Sequence, residues 1–322
     1  MWKTIVRRFL ILIPQLIILS MLIFILAQIM PGDALRGIIT PQTPPAQVAH
    51  LREVHGLDDP WFTQYLRWIR GIIFERNFGI STANNRPVTE IIGERLPNTI
   101  RLSLVTSLFT YLIAIPLGVI AGRKHDKWPD KIVMVYTFIA LSMPTVVLSL
   151  INILIFGFRL EWFPITGSVD VQAAAAGGFA YFWSRLHHLV LPAITLASIS
   201  TVGIIYFLRS EIIDYETSDF VLTARSKGAT ESQIYTGHIL RNAALPVASG
   251  VGAVVAALFS GSIFIEWIFG YPGMGQLFLN AIIGRDFPVA NALIMLFAIM
   301  SVVAITISDI VITIVDPRIR IK

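Results

Sequence analysis

The side chains best suited to chemistry are concentrated in one polar passage, residues 209–246, of an otherwise apolar second half. Charged residues recur along it at short intervals, namely Asp219, Arg225, Lys227, Glu231 and Arg241. A charged side chain costs about 2.5 to 3.5 kcal/mol when it lies at the centre of a bilayer. The passage is therefore predicted to lie in water, between two membrane spans.

The same passage carries the signals of two short helices. Residues 219–227 have helical composition, and Gly228 follows where the chain needs a tight turn. Thr230 and Gln233 have the spacing of a capping box, in which each residue satisfies the other's backbone amide at a helix start. We expect two helices at a fixed angle on a membrane face. A soluble partner could bind such a rigid arrangement.

The chain contains few residues that could catalyse a reaction or bind a metal. The 322 residues include no cysteine, which removes thiol catalysis, thiolate metal sites and disulfides. The histidines lie in predicted loops or at span ends, which argues against serine hydrolysis inside a bilayer. His187 and His188 are adjacent, so on a helix they point in different directions, and no carboxylate cluster accompanies them. We expect no catalytic residue and no metal site.

A few polar residues interrupt the apolar runs that are predicted to span the membrane. They are Ser142, Pro144, Ser149 and Asn152 in the third predicted span and Ser260 in the fifth. A proline in a span frees a backbone carbonyl, which neighbouring groups or cavity water must satisfy. Two interpretations stay open for the third span: the wall of a translocation pathway, or a packing kink with hydroxyls bonded to their own helix. For Ser260, close helix packing is favoured over a pathway role.

Two carboxylates lie deeper than the other acidic groups. Glu266 follows the fifth apolar run, just before a sequence that must turn sharply, and Asp309 lies inside the sixth run. Ionisable groups at such depth face protein or water. Substrate contact in a translocation pathway, pairing within the fold and pairing with a second subunit all stay open.

Composition places the chain among membrane proteins. Hydrophobic residues make up 55% of it, charged residues only 14%, and the mean hydropathy is +0.72. These values lie outside the range of soluble globular proteins. The net charge of +5 does not indicate nucleic acid, because the basic residues sit at the ends of apolar runs and so report topology.

The predicted fold class is an all-α polytopic membrane protein with about six transmembrane helices. The apolar runs that define them are residues 9–30, 99–122, 132–157, 189–208, 246–264 and 289–315. The first run exceeds a signal-peptide core and lacks a clear cleavage site, so we expect it to be retained. Every lysine falls on the side of the N-terminus, which predicts that both termini are cytoplasmic.

These runs divide the chain into four parts. The N-terminus and first helix occupy 1–30, an extracytoplasmic segment 31–98, a five-helix core 99–315 including the loop 209–246, and a cytoplasmic tail 316–322. Within 31–98, one helix is expected to end near His55 and a second to begin near Pro60, with Trp61 and Trp68 as interfacial anchors. Residues 173–178 are expected to be flexible or partly re-entrant.

In the polar passage the chain resembles the permease subunits of bacterial ABC importers, in particular their oligopeptide, dipeptide and nickel branch. The sequence TARSKG at 223–228 and RNAALP at 241–246 fit that branch, although Leu222 and Thr223 replace the Glu and Ala of the general signature. Further segments resemble the branch in the same order, namely HGLD at 55–58, NFG at 77–79, RLPNT at 95–99, 269–275 and DPRIR at 316–320.

The resemblance implies a bacterial cell-membrane complex. It implies a second, similar permease subunit, two cytoplasmic ATPase subunits that bind ATP, and an extracytoplasmic substrate-binding protein. This chain lacks the phosphate-binding Gly-x-x-x-x-Gly-Lys-Ser/Thr motif, so it is not expected to bind ATP itself. The implied ATPase-coupling residues are Asp219, Ala224, Arg225, Lys227, Gly228 and Glu231.

The sequence does not identify the cargo. Peptides are the first hypothesis, with nickel, glutathione or another small solute as alternatives within the same family. An ion-coupled secondary transporter is a more distant alternative, because such carriers show internal repeats and midplane ion ligands. Here Asp309 is the one deep carboxylate that could serve an ion. A non-transporting scaffold is the third hypothesis.

Overall fold

The computed structural model describes residues 2–29, 44–47, 50, 58–75, 77–243, 247, 250, 254, 256 and 262–315. Within these residues the regular elements are helices, and β structure is limited to one isolated bridge between Ile80 and Pro87. The chain is thus an all-α polytopic membrane protein, as the apolar composition predicts. The predicted fifth span, 246–264, lies largely outside the described residues, as do Ser260 and the tail 316–322.

Twelve helical elements can be named in the described part of the chain. They are α1 (Trp2–Ile29), α2 (Trp61–Glu75), α3 (Val88–Arg123), α4 (Trp128–Ser142), α5 (Thr145–Asn152, continued by the π-helical turn Ile153–Arg159), α6 (Val171–Ala176), α7 (Gly178–Glu216), α8 (Asp219–Ser226), α9 (Glu231–Gln233, continued by the π-helical turn Ile234–Ile239 and by Leu240–Ala243), α10 (Ile263–Ile268), α11 (Met274–Ile283) and α12 (Phe287–Val315).

Three of the described helices, α3, α7 and α12, are each long and apolar enough to cross a membrane. A fourth crossing is possible if α4 and α5 count as one span, but these two are bent by 106° at the break between them. The sequence predicts one span there, interrupted at Pro144. It breaks because Pro144 disfavours helical geometry at Met143, which takes φ −86° and ψ 122°.

Helices α3 and α7 form the central pair of the fold. Gly118 and Gly122 on α3 let the two backbones approach closely, because neither position carries a side chain. A Cβ atom on Gly118 would lie 2.9 Å from the Cβ of Leu208, and one on Gly122 would lie 2.7 Å from the Cβ of Ile212. Any larger residue at these positions would force the two helices apart.

Both central helices are longer than the apolar runs that predict them. Helix α7 begins at Gly178, so the aromatic residues 181–183 are helical, and the stretch 173–178 carries α6 followed by a turn. Gly177 and Gly178 make that turn with φ of +65° and +56°, a region that glycine enters without steric cost. Residues 173–176 are thus helical and not irregular, whereas the alternative of a partly re-entrant stretch stays a prediction.

Helix α2 packs against α1 on one side of this core. The Tyr65 hydroxyl lies 2.8 Å from the Ser20 hydroxyl, and the Phe24 ring is 5.6 Å from the Tyr65 ring and 5.7 Å from that of Trp68, between centroids. The start of α2 at Trp61 confirms the helix predicted to begin near Pro60. The helix predicted to end near His55 lies mostly outside the described residues.

Candidate functional site

The polar passage folds into a compact unit, residues 216–243, which we call the knuckle. Gly228 joins α8 to α9 with φ +78°, the left-handed conformation that a residue with a side chain rarely adopts. At the start of α9 the Thr230 amide donates to Gln233 Oε1 at 3.0 Å, and the Gln233 amide donates to Thr230 Oγ1 at 3.4 Å. The predicted turn and capping box are both present.

An apolar base joins the knuckle to α7. Val221, Ile234 and Ile239 are fully buried, and they pack with Leu208 and Ile212 of α7. Each such side chain contributes about 1.5 to 3 kcal/mol through burial. The knuckle therefore follows α7 as one body and does not hang from it as a loose loop.

A polar contact adds α3 to this base. The Tyr235 hydroxyl donates to Glu216 Oε1 at 2.7 Å, and the Arg123 guanidinium, at the end of α3, lies 4.5 Å from the centre of the Tyr235 ring. Burial, together with the hydrogen bond to Glu216, raises the pKa of Tyr235 to about 12. Because the hydroxyl stays protonated at physiological pH, the donation to Glu216 persists.

The exposed face of the knuckle is both charged and apolar. Arg225 donates to Glu231 Oε1 at 3.0 Å, and this carboxylate raises the pKa of the Arg225 guanidinium. Phe220 and Leu222 are 38% and 51% exposed, although both are large and apolar. The coupling residues predicted from the sequence did not include Phe220 or Leu222. Their apolar character within a polar passage was the available signal.

The predicted coupling residues divide into two sets. Ala224 is only 9% exposed and packs in the apolar base, so its side chain holds α8 in place and does not form the surface. The others are exposed on α8, on the turn or at the start of α9, namely Asp219, Arg225, Lys227, Gly228 and Glu231. A partner that contacts this face meets the second set.

An ion pair that the sequence prediction missed ties α4 to α7 near the knuckle. Arg209 Nε donates to Asp130 Oδ1 at 2.7 Å and Arg209 Nη2 donates to Asp130 Oδ2 at 2.8 Å, so both carboxylate oxygens are engaged. Asp130 also lies close to His125 and Asp126. The guanidinium fork on Asp130 makes this trio a poor metal site. An acid between Lys127 and Lys131 at the start of α4 was the available signal.

Glu266 lies at the opposite end of α3 and is fully buried. Its Oε1 accepts from the Thr99 hydroxyl at 2.9 Å, and its Oε2 accepts from the amides of Gly275 and Gln276 at 2.6 and 3.1 Å. The Thr99 oxygen accepts in turn from the Met274 amide at 2.7 Å. The carboxylate thus satisfies the free amides at the N-terminus of α11, where negative charge is favoured.

Glycines make room for this carboxylate. A Cβ atom on Gly273 would lie 2.4 Å from Glu266 Oε2, and one on Gly275 would lie 2.8 Å from the Cα of Ile263. Of the arrangements left open by the sequence, the structure contains pairing of Glu266 within the fold.

The other predicted pathway residues with described side chains form no hydrogen bond to Glu266 or to the knuckle, although α5 packs against α10. Ser149 is buried and donates to its own helix at Thr145 O, 2.7 Å away, and Asn152 Nδ2 donates to Thr195 Oγ1 of α7 at 2.9 Å. Ser142 and Pro144 are exposed at the break between α4 and α5. Asp309 belongs to α12, but its side chain lies outside the described residues, as does Ser260.

The adjacent histidines diverge, as the sequence predicts. His187 Nε2 lies 2.7 Å from the Trp162 carbonyl oxygen, whereas His188 is buried with its Nδ1 2.8 Å from the Ser184 carbonyl oxygen. The two rings therefore serve different contacts.

Comparison with known proteins gives consistent matches along the chain. Residues 114–321 match the family described as binding-protein-dependent transport system inner membrane component, and residues 1–103 match the N-terminal family of such components. The oligopeptide transport system permease protein AppB of Bacillus subtilis (strain 168) is 37% identical over 98% of each chain. The glutathione transport system permease protein GsiC of Escherichia coli (strain K12) is 30% identical over 100% of each chain.

A solved structure shares the fold at lower identity. The chain compared from the MetNI methionine ABC transporter in an inward facing conformation is 17% identical, with a TM-score of 0.56. The match covers 71% of this chain and 97% of that one.

Proposed function

Because this chain belongs to the family of inner membrane components of binding-protein-dependent transport systems, we propose that it forms half of the translocation pathway of an ATP-driven peptide importer. It is a multi-pass protein of the bacterial inner membrane. The other half would be a second permease subunit of the same family. Two cytoplasmic ATPase subunits and an extracytoplasmic substrate-binding protein would complete the complex, with six crossings and both termini in the cytoplasm.

The observation that carries the proposal is the construction of the knuckle. Its buried base fixes it to α7, the contact between Arg123 and Tyr235 reaches α3, and the ion pair of Asp130 with Arg209 links α7 to α4. Its exposed face offers Phe220 and Leu222 beside charged groups. An ATPase that holds this face would therefore displace three membrane helices together.

We expect transport to follow alternating access. Closure of the two ATPases on ATP would draw the knuckles of the two permease subunits together and open the pathway to the outside. Release after hydrolysis would return it to the inward-open state, so that the cargo site faces one side at a time. In this scheme ATP binds to the partner subunits and this chain supplies no catalytic group.

Peptide cargo is supported by the similarity to AppB, whereas the similarity to GsiC supports glutathione, a modified peptide, as the second candidate. The spans offer hydroxyls and few charges. Thr106 and Thr110 of α3 are buried, and their hydroxyls have no hydrogen-bond partner among the described residues. Hydroxyl and backbone groups suit a cargo whose side chains vary. Nickel or another small solute stays an alternative.

Substitution of Gly228 tests the coupling role. Gly228→Val places a β-branched residue at φ +78°, so we expect the turn to distort and ATP-driven uptake to be abolished while membrane insertion is retained. The measurement is uptake of labelled peptide by proteoliposomes that contain the whole complex and its binding protein. Gly237→Val is the matched control, because Gly237 has open space around it and no positive φ.

Two outcomes would contradict the proposal. Normal uptake by a complex that carries Gly228→Val would show that coupling to ATP does not depend on the knuckle. Wild-type uptake that survives ATP depletion but collapses with the ion gradient would indicate a secondary transporter. Labelling of a cysteine introduced at Lys227 tests orientation independently, since a knuckle on the outer side cannot meet a cytosolic ATPase.

A further inference from the structure

Two arginines from different helices meet on one neutral side chain at the Glu266 end of the molecule. Arg101 Nη1 of α3 and Arg185 Nη2 of α7 both donate to Asn98 Oδ1, at 3.0 and 2.8 Å. Asn98 is nearly buried, and its Nδ2 donates to the Pro272 carbonyl at 2.9 Å, which fixes the orientation of the amide. The two guanidinium groups are therefore held side by side.

A third arginine, Arg95, lies earlier on the same helix as Arg101. Arg95 sits about two turns before Arg101 on α3, and its Nη1 is 3.5 Å from Gln276 Oε1. Within the described part of the chain, none of the three arginines has a carboxylate within ion-pair distance. Glu266 interacts electrostatically with Arg95, but its hydrogen bonds go to Thr99 and two backbone amides and not to Arg101 or Arg185.

Permanent positive charges held together repel one another, and a neutral amide offsets this only in part. All three arginine side chains are partly exposed, so a ligand can reach them. The guanidinium fork matches the planar geometry of a carboxylate, and such charge-assisted hydrogen bonds are stronger than neutral ones. Arg101 and Arg185 therefore have the charge and the donors of a carboxylate site, without a carboxylate from the described residues within ion-pair distance.

The cluster lies at a membrane boundary. At 1.5 Å per residue, Arg101 is roughly 33 Å along α3 from Arg123, which contacts the knuckle. That length compares with a hydrocarbon core of about 30 Å. If the knuckle is cytoplasmic, the arginines stand where cargo enters from outside.

We propose that Arg101 and Arg185, supported by Arg95, bind the free C-terminal carboxylate of a peptide cargo as it enters the pathway. The inference rests on the proposed function for the class of cargo. Asn98 is a positioning residue that holds both guanidinium groups before the peptide arrives. Side chains of the cargo play no part in this contact, so one site serves peptides of different sequence.

Chemical footprinting with phenylglyoxal, which modifies accessible guanidinium groups, tests the site directly. The intact complex in nanodiscs of zwitterionic lipid, without nucleotide or binding protein, is treated in the presence of trialanine or of trialanine amide. We expect trialanine to slow modification of Arg101 and Arg185 about tenfold, since it adds charge-assisted hydrogen bonds to each, and the amide to leave it unchanged. Arg285, exposed and remote in sequence, is the internal control.

Three results would overturn the inference. Equal protection by trialanine and its amide would show that the carboxylate is not recognised. Protection by the binding protein without peptide would make the cluster a protein contact. Protection only in nanodiscs that contain anionic lipid would assign it to lipid phosphate groups.

An uptake assay separates this inference from the proposed function. The double variant Arg101→Gln, Arg185→Gln should lower uptake of trialanine about tenfold. The single variants Arg101→Lys and Arg185→Lys should retain part of the uptake, and Arg285→Gln should retain all of it. Wild-type ATP-driven uptake with no selective protection would refute the carboxylate site alone. Selective protection in a complex that shows no ATP-driven uptake would refute the transport proposal and leave the site standing.

Discussion

The two ends of α3 meet the rest of the chain in different ways. At the Glu266 end a carboxylate with no exposure receives hydrogen bonds from Thr99 and two backbone amides. At the knuckle end the charges of Arg225 and Glu231 face water, and the buried contacts below them are apolar. The first arrangement admits one geometry, whereas the second holds a firm base and leaves a surface free for a partner.

This difference follows from where each group meets water. Removing a buried acceptor leaves its donors unsatisfied, which costs about 1 to 3 kcal/mol for each donor. An exposed ion pair is replaced by hydration when it is broken. Substitutions at the Glu266 end should therefore reduce stability, and substitutions on the knuckle surface should reduce coupling.

The largest effect is expected for Glu266→Ala. Three donors lose their acceptor, so we expect a loss of at least about 3 kcal/mol in the free energy of unfolding. Thermal unfolding of the purified complex in detergent measures it. Glu94→Ala removes an exposed carboxylate from the same helix end and is the control. Equal stability of the two variants would refute the structural role of Glu266.

A smaller loss is expected for Gly275→Ala. The added methyl would lie 2.8 Å from the Ile263 backbone, which cannot move aside as a flexible side chain can. Overpacking of this kind costs about 1 to 3 kcal/mol. Gly93→Ala, on α3 with open space around it, should instead be neutral or stabilising by up to about 1 kcal/mol. The same melting experiment measures both variants, and a loss of similar size in each would contradict the packing argument.

Asp130→Asn should cost about 1 to 2 kcal/mol, because the amide accepts only one of the two charge-assisted bonds from Arg209. The variant should also loosen the link between α4 and α7. We expect ATP hydrolysis to continue while less peptide is taken up per ATP. Asp126 is an exposed neighbour, so Asp126→Asn should change neither the stability nor the amount of peptide taken up per ATP.

The smallest effect on stability is expected for Arg225→Gln. The guanidinium is exposed, so thermal unfolding should not change measurably, yet the number of ATP molecules hydrolysed per peptide should rise. Glu231→Gln removes the other residue of the ion pair. The double variant Arg225→Glu, Glu231→Arg keeps an ion pair but reverses the charges that the ATPase meets, so it tests which of the two contacts coupling requires. A large drop in stability of Arg225→Gln with unchanged coupling would contradict the assignment of a coupling role to the knuckle surface.

Local signals were sufficient for much of the knuckle. Gly228, with Thr230 and Gln233 shortly after it, specifies the turn and the helix start through contacts within a few residues. In the same way, the start of α2 follows from Pro60 and the apolar periodicity after it. These features depend on neighbours along the chain, so the sequence contains them directly.

Contacts between distant residues could not be predicted in this way. Thr99 and Glu266 are 167 positions apart, and Asp130 and Arg209 are 79 apart. Which face of a short helix is buried also depends on the rest of the fold, which is why Ala224 was taken for a surface residue while Leu222 was overlooked. Pro144 indicates an interruption of its span, but the angle of the bend depends on packing against other helices.

The glycine contacts between α3 and α7 bear on how cargo would leave the arginine cluster. Gly118 and Gly122 pack closely against Leu208 and Ile212 of α7, so we expect the two helices to move together when the knuckle is moved. We then expect Arg101 and Arg185, one on each of these helices, to keep the same spacing through the transport cycle. A bound carboxylate would be released by water and by the advance of the peptide along the pathway, with no separation of the two guanidinium groups.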